Sequence, residues 1–377
     1  MYRFFPQTVL LLWLCCGAYT ASRAQLLRDA DTQGVLRQAI DRIYNFQFAE
    51  ADPLIGTIRS RYPQHPVSPM LVALKLYWQG MPLRKDKPEY AEYLRYVHLT
   101  LRQAHLMLGK DERDPEGTFF ALAAHSYLAL LAAEEGQTMG AFGEARKAYG
   151  YLRTGMKRTG AHPDFYLSTG LYNYYVVQYP QTHPAVKPLM VFFADGDKKT
   201  GLAQFETGAA RGIFTRTEAL YYLVHIYAKY EMQWARALAC SGRLHAQYPA
   251  NLLYLMRHAE MLVFNGRYDE AAPLAGQLAA QPDKVFQATA AVLRGLIAEK
   301  GQQDPAEARK QYVAALRLRA YDRRYTQDYY GMAYAGMARL ALREGKKEEA
   351  RRFYHKTLEL AEYASTRQEA KNYLKHD

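Results

Sequence analysis

The chain has 377 residues, 49% of them hydrophobic, and carries 49 Lys and Arg against 37 Asp and Glu for a formal charge of +12. That much apolar material, with 32 Tyr and 15 Phe, excludes a disordered chain and suffices for a large core. The 3 cysteines, two of them adjacent at Cys15 and Cys16, exclude a disulfide framework.

Residues 1–24 read as a secretory leader. Met1-Tyr2-Arg3 gives a short basic start, Val9 to Ala18 an apolar core of roughly ten residues, and Ser22 and Ala24 the small residues that precede cleavage. A bilayer span needs roughly twenty apolar residues, so cleavage near Ala24 and export to the periplasm or beyond are expected, with no transmembrane segment in the mature chain. Leu14 stands before Cys15 where a lipidated cysteine would need a small neighbour, so no lipid anchor is expected. Cleavage leaves Cys240, set among Ala237, Leu238 and Ala239, as a lone thiol expected to be buried and inert. The mature chain stays basic. In an exported protein this favours phospholipid headgroups, envelope polyanions or acidic proteins over nucleic acid, and leaves peripheral association with the envelope open. Interleaving of acidic and basic residues along most of the chain also fits a solvated surface that only keeps the protein soluble.

Along the mature chain the patterning is helical throughout. Phe48-Ala49-Glu50-Ala51, followed by Ile55, Ile58 and Tyr62-Pro63, reads as the second helix of a first helix pair. Phe142-Gly143-Glu144-Ala145 with Tyr149 reads as another, while Gly80-Met81-Pro82 and Gly109 to Gly117 are loops. From Asp164 to Gly201 the expectation is a helix to about Gln178, a crossing punctuated by Pro180, Pro184 and Pro188, a short apolar helix through Met190 to Phe193, and a turn at Asp195-Gly196-Asp197. Tyr172, Tyr175 and Tyr179 share one helical face, which favours core packing; with Tyr174 they also have the character of a binding surface. Farther on, Ala203, Ala237 and Ala271 stand 34 apart, and Ala308 and Ala350 follow at steps of 37 and 42.

Thirty-four residues is the period of a two-helix repeat in which small residues let the helices approach closely. The unit from Asn251 carries Leu255, His258-Ala259, Leu262 and then Gly266-Arg267-Tyr268-Asp269-Glu270-Ala271. The unit before it ends at Tyr248-Pro249, and the last reads Tyr334, Met337-Ala338, Gly345 to Ala350 and Tyr354. These residues resemble the tetratricopeptide repeat family, clearly over 197–361 and through scattered helix halves over 65–196. Gly170-Leu171-Tyr172-Asn173-Tyr174-Tyr175 with Gly196-Asp197 and Gly201-Leu202 resembles a segment of exported bacterial tetratricopeptide proteins, a likeness that names no activity.

The resemblance implies an all-α solenoid of antiparallel helix pairs. Its domains are expected as a leader (1–24), degenerate helical repeats (25–160), a Tyr- and Pro-rich helical insertion (161–200) and C-terminal repeats (201–377). It also implies a concave groove that binds a protein or peptide. Groove positions carried over from the clearer units are Tyr222, Lys229, Tyr230, Glu260, Phe264, Arg339 and Arg343, the arginines suiting an acidic partner.

No phosphate loop, dinucleotide-binding glycines, nucleophile elbow or zinc-protease helix is present, so no catalytic residue, cofactor or metal is expected. Asp195 and Asp197 lack the further oxygen donors of a calcium loop, and His125 and His258 stand alone, as structural histidines do. The basic run from Arg309 to Lys356, with Tyr312, Tyr325, Tyr329 and Tyr330 among the cations, suits either polyanions or a solvated face. Two functions remain: a non-catalytic scaffold of the cell envelope, or an all-helical carbohydrate-binding protein or polysaccharide-active enzyme. Continuous helix pairs through 65–196 would favour the first, and a deep cavity with two facing carboxylates the second.

Overall fold

The computed structural model describes residues 26 and 29–376, apart from 82, 161, 183, 185, 186, 189, 191, 192 and 319–322. The leader therefore lies outside the described residues, as do residues 191 and 192 of the short apolar helix. The described residues form 17 α-helices and no strand. The first six are α1 (Ala30–Tyr44), α2 (Phe48–Arg61), α3 (Val67–Gln79), α4 (Pro88–Leu108), α5 (Pro115–Glu134) and α6 (Thr138–Met156). Next come α7 (Phe165–Thr182), α8 (Lys198–Arg211), α9 (Arg216–Lys229), α10 (Trp234–Gln247), α11 (Leu252–Phe264) and α12 (Tyr268–Ala279). After α13 (Lys284–Leu296) a π-helical turn over Ile297–Gly301 leads to α14 (Pro305–Leu318), α15 (Arg323–Arg343), α16 (Lys347–Leu360) and α17 (Ala364–His376).

Consecutive helices pack as antiparallel neighbours, making eight pairs and a last helix, α17, against α15 and α16. Six of the pairs share one local device. A single residue in the left-handed region stands two positions before the second helix: Phe46, Gly136, Met232, Gly266, Gln303 and Gly345. Glycine adopts that conformation without strain and the other three do so at some cost, so only half of these turns are marked in the sequence. Acidic or amide caps open several helices: Asp29, Asp114, Asp197, Asn251 and Asp283 each accept a backbone N–H of the first turn.

The fourth residue of the second helix is the small one. Ala51, Ala237, Ala271, Ala308 and Ala350 are fully buried there, and Gly201 fills the same place in α8. Ala203 is instead exposed, so its step of 34 to Ala237 is a coincidence, whereas that from Ala237 to Ala271 is a true repeat. In α6 the position belongs to Ala141, and Ala145 faces solvent. The helix expected to end near Gln178 continues to Thr182 through Pro180.

First and second helices differ in how much they bury. The second helices bury one stripe, such as Ala237, Ser241 and Leu244 of α10. The first helices α9, α11 and α13 are buried almost all round, ten of the thirteen residues of α11 being buried, the pattern of an inner layer packed on both sides. The inner layer closes across the superhelix. Asn251 Nδ2 donates to the Tyr44 carbonyl at 2.8 Å, Tyr248 OH to Asp41 at 2.7 Å, and Arg216 pairs with the same Asp41. Trp78 and Tyr254 rings meet at 6.0 Å, so the first three helices lie against α9–α11. Helix α5 alone among the described helices is long and apolar enough to cross a membrane, but it packs between α4 and α6 and buries Glu116 and His125.

Candidate binding cavity

The seven expected groove residues fall into distinct surroundings. Tyr222 stacks on Phe205 with ring centroids 5.9 Å apart, and burial pushes its phenol up to about 12. Lys229, at the end of α9, is 7% exposed and bonds Asp328 at 2.7 Å and Glu362 at 2.6 Å. Burial opposes its charge, but the two carboxylates outweigh that and raise its pKa. Glu260 is fully enclosed, accepting from Arg257 and the Tyr363 hydroxyl, each at 2.8 Å. Lys229 and Glu260 thus join helices internally and do not face a groove, because the inner layer closes over them. Tyr230 edges a small cleft of about 180 Å³ with Gln327, Glu359 and Arg367.

Phe264 and Arg339 do meet at one cavity, of about 230 Å³. Its apolar wall is Trp234, Val263, Phe264, Tyr268, Leu296, Met332 and Ala335; its polar side is Lys300, Arg339, Ser365, Thr366 and Glu369. Phe264 is held edge-on by Trp234 at 5.2 Å and by Tyr363 at 5.4 Å. Arg339 reaches in from α15 on a fixed frame. Its Nε and Nη2 donate to both oxygens of Glu299 at 2.6 and 2.7 Å, and its Nη1 to Glu369 at 2.9 Å. Glu299 is itself buried and takes a further bond from Tyr312 OH at 2.7 Å. Desolvation alone would raise its pKa; Arg339 and Tyr312 more than reverse that and hold it low. Arg343, half exposed, stands 3.9 Å from the same carboxylate.

No family model and no curated protein matches the sequence. Among solved structures the chain is similar to the yeast Tom70 crystal structure, with 11% identity and a TM-score of 0.36 over 92% of this chain and 82% of that one. It is also similar to the P58(IPK) TPR domain, with 14% identity and a TM-score of 0.25 over 92% of this chain and 99% of that one. The solenoid architecture stands on the helix pairing itself.

Lys300 was not singled out by sequence reasoning. It lies at the cavity mouth, makes no ion pair among the described residues, and is held below the ordinary lysine range first by desolvation and then by Arg339. The π-helical turn places it and Glu299 there, and such turns often mark functional sites. The step of 37 between Ala271 and Ala308 is the trace of that turn in the sequence.

Elsewhere the polar residues are structural. The buried tyrosine is Tyr174, with its hydroxyl on Glu231 at 2.6 Å, whereas on the face expected to be core Tyr172, stacked on Tyr149, and Tyr175 are only partly buried and Tyr179 is exposed. Asp197 caps α8, His125 pairs with Glu144 at 2.6 Å, and His258 bonds Ser241 at 3.2 Å. Cys240 is half-buried, with burial pushing its thiol up.

Proposed function

We propose that the protein is an exported, non-catalytic scaffold that seizes a protein partner at the cavity between α11–α13 and α15–α17. The observation that carries this is the meeting of an aromatic wall, Trp234, Phe264 and Tyr268, with the unpaired cation of Lys300. Such a site takes an apolar side chain flanked by a carboxylate, the kind of anchor an acidic peptide supplies. Glu369 is the single carboxylate lining the cavity, and Arg339 already occupies it, so the site lacks the paired free carboxylates of sugar hydrolysis. The helix pairs α3–α4 and α5–α6 fill most of 67–156, as a repeat scaffold requires, and α7 follows before the crossing to its partner α8.

The test is affinity capture from lightly crosslinked envelope of the source cell with the wild-type chain and a Lys300→Glu/Arg343→Glu variant. Arg339 is left intact because it compensates the buried Glu299 carboxylate. A stoichiometric protein lost in the variant, whose peptides also shift Trp234 fluorescence, supports the reading. Recovery of glycan alone, or equal capture by both chains, overturns it.

A further inference from the structure

Of the seven large apolar side chains that are exposed among the described residues, five lie on α4–α6, with Met139 at 80% and Phe142 at 45%. On α6 and its capping residue Lys157 the positions 139, 142, 146, 150, 153 and 157 recur every three or four residues and so form one stripe, and all six are exposed. The stripe is apolar at its start, with Met139 and Phe142, and cationic afterwards, with Arg146, Arg153 and Lys157. The one carboxylate of the helix, Glu144, is turned aside onto His125 at 2.6 Å and Lys147 at 2.7 Å. Arg146, Arg153, Lys157 and Arg158 make no ion pair among the described residues. Near the helix end a shallow depression of about 370 Å³ is lined by Gly150, Arg153, Thr154, Lys157 and Arg158, three cations and a hydroxyl with no carboxylate. The opposite face of α6 is already used: Ala148, Leu152 and Gly155 are buried, Gly155 against the Phe165 ring.

We propose that this outward face of α6 docks on an anionic phospholipid bilayer. Met139 and Phe142 enter the boundary between headgroups and acyl chains, and Arg146, Arg153, Lys157 and Arg158 engage the phosphates, three of them around the shallow depression. A flat anionic surface is favoured over an acidic protein by shape as well as charge. The apolar side chains project singly from a helix that runs about 28 Å at 1.5 Å per residue. The depression at the other end of the helix is cationic, and protein partners anchor on concave, desolvated pockets. This surface is independent of the cavity at α11–α17, so either reading stands or fails alone.

The test is co-sedimentation of the chain expressed from Gln25, which holds every described helix, with vesicles of phosphatidylglycerol and phosphatidylethanolamine or of phosphatidylcholine alone. Far-UV circular dichroism checks the fold of each variant. The wild type should bind the anionic vesicles, weaken with salt and ignore phosphatidylcholine. Arg146→Gln/Arg153→Gln/Lys157→Gln should lose about a hundred-fold, at about five-fold per cation. Met139→Ser/Phe142→Ser should lose roughly ten-fold while keeping the salt dependence. Equal binding to phosphatidylcholine, or no loss in the triple variant, overturns the proposal. So does a wild type that ignores both vesicles but forms a dimer by light scattering that Met139→Ser/Phe142→Ser abolishes, since the face is then an interface between copies.

Discussion

Replacing Arg339 by Gln should unmake the C-terminal units more than any change of similar size on the surface. The side chain holds both oxygens of Glu299, at 2.6 and 2.7 Å, and Glu299 is 1% exposed. Removing one partner of a buried pair costs about 3–5 kcal/mol, because the remaining charge is left without compensation. Two features reduce that here. Arg339 is 21% exposed, and Tyr312 OH remains on the carboxylate while Arg343, at 3.9 Å, can approach. A loss of about 2–4 kcal/mol is therefore expected near neutral pH. The pH dependence carries the diagnosis. In the wild type Glu299 has a depressed pKa, so the pair stabilises the fold above the ordinary glutamate range and that contribution fades as pH falls through the folded value. In Arg339→Gln the largest influence opposing burial is gone, the folded pKa rises, and acid relieves the damage by protonating the carboxyl. Urea unfolding of wild type, Arg339→Gln, Glu299→Gln and the double variant should yield a coupling above about 1.5 kcal/mol near neutral pH that shrinks in acid. Hydrogen exchange should place the loss in α13–α17. A coupling under about 0.5 kcal/mol, or one independent of pH, would refute the reasoning.

Asp164 Oδ1 accepts the backbone N–H groups of Ile213, Phe214 and Thr215 at 2.8–2.9 Å, so Asp164→Ala should cost about 3 kcal/mol or more in a thermal or urea melt, with Asn restoring part of it. His162 and His225 are held neutral, their pKa values depressed mainly by burial. Unfolded histidine takes up its proton first, near 6.5, so stability should be full above that pH and fall below it, and His162→Gln/His225→Gln should flatten the melting profile on the acid side. A Cβ on Gly336 would come within 2.3 Å of the Tyr312 ring, whereas one on Gly56, inside α2, meets nothing. Gly336→Ala should therefore destabilise by about 1–3 kcal/mol and Gly56→Ala stabilise by up to about 1 kcal/mol, as measured by urea midpoints. Asp41→Ala removes the partner of both Tyr248 and Arg216 and should speed hydrogen exchange in α9–α11; exchange faster only near α1–α3 would refute the closure of the superhelix.

The helix pairs were legible wherever a small residue and a glycine coincide, as at Gly266 with Ala271 and at Gly345 with Ala350. Phe46, Met232 and Gln303 hid three equivalent turns, since their left-handed backbone is enforced by tertiary packing and leaves no residue signature. The alanine at 203 misled for the converse reason: in a helix rich in small residues, spacing alone does not identify which one is buried, and Gly201 is. Phe264 and Arg339 were reachable from the repeat register because the cavity lies where register and inner surface still agree. Lys229 and Glu260 occupy equivalent positions on the inner helices, but contacts between residues 103 and 133 apart seal them. A pattern of period 34 reports what each unit shows its neighbour and is silent about a unit four pairs away.

That closure bears directly on where this protein can bind. In an open solenoid the inner helices offer a continuous concave surface. Here the same surface is filled by Tyr44, Tyr248, Tyr254, Tyr329 and Tyr363, all buried, several with hydroxyls set on Asp41, Glu218 or Glu260. A phenol on a carboxylate lets a large ring enter the core while satisfying its polar tip, and Asp41 and Glu260 are in turn met by Arg216 and Arg257. Acid–arginine pairs that look like surface charge in the sequence are thus spent on closing the superhelix. What remains for a partner lies at the edges: the cavity where the π-helical turn leaves Lys300 unpaired, and the outer face of α6, whose cations have no tyrosine or carboxylate to answer them.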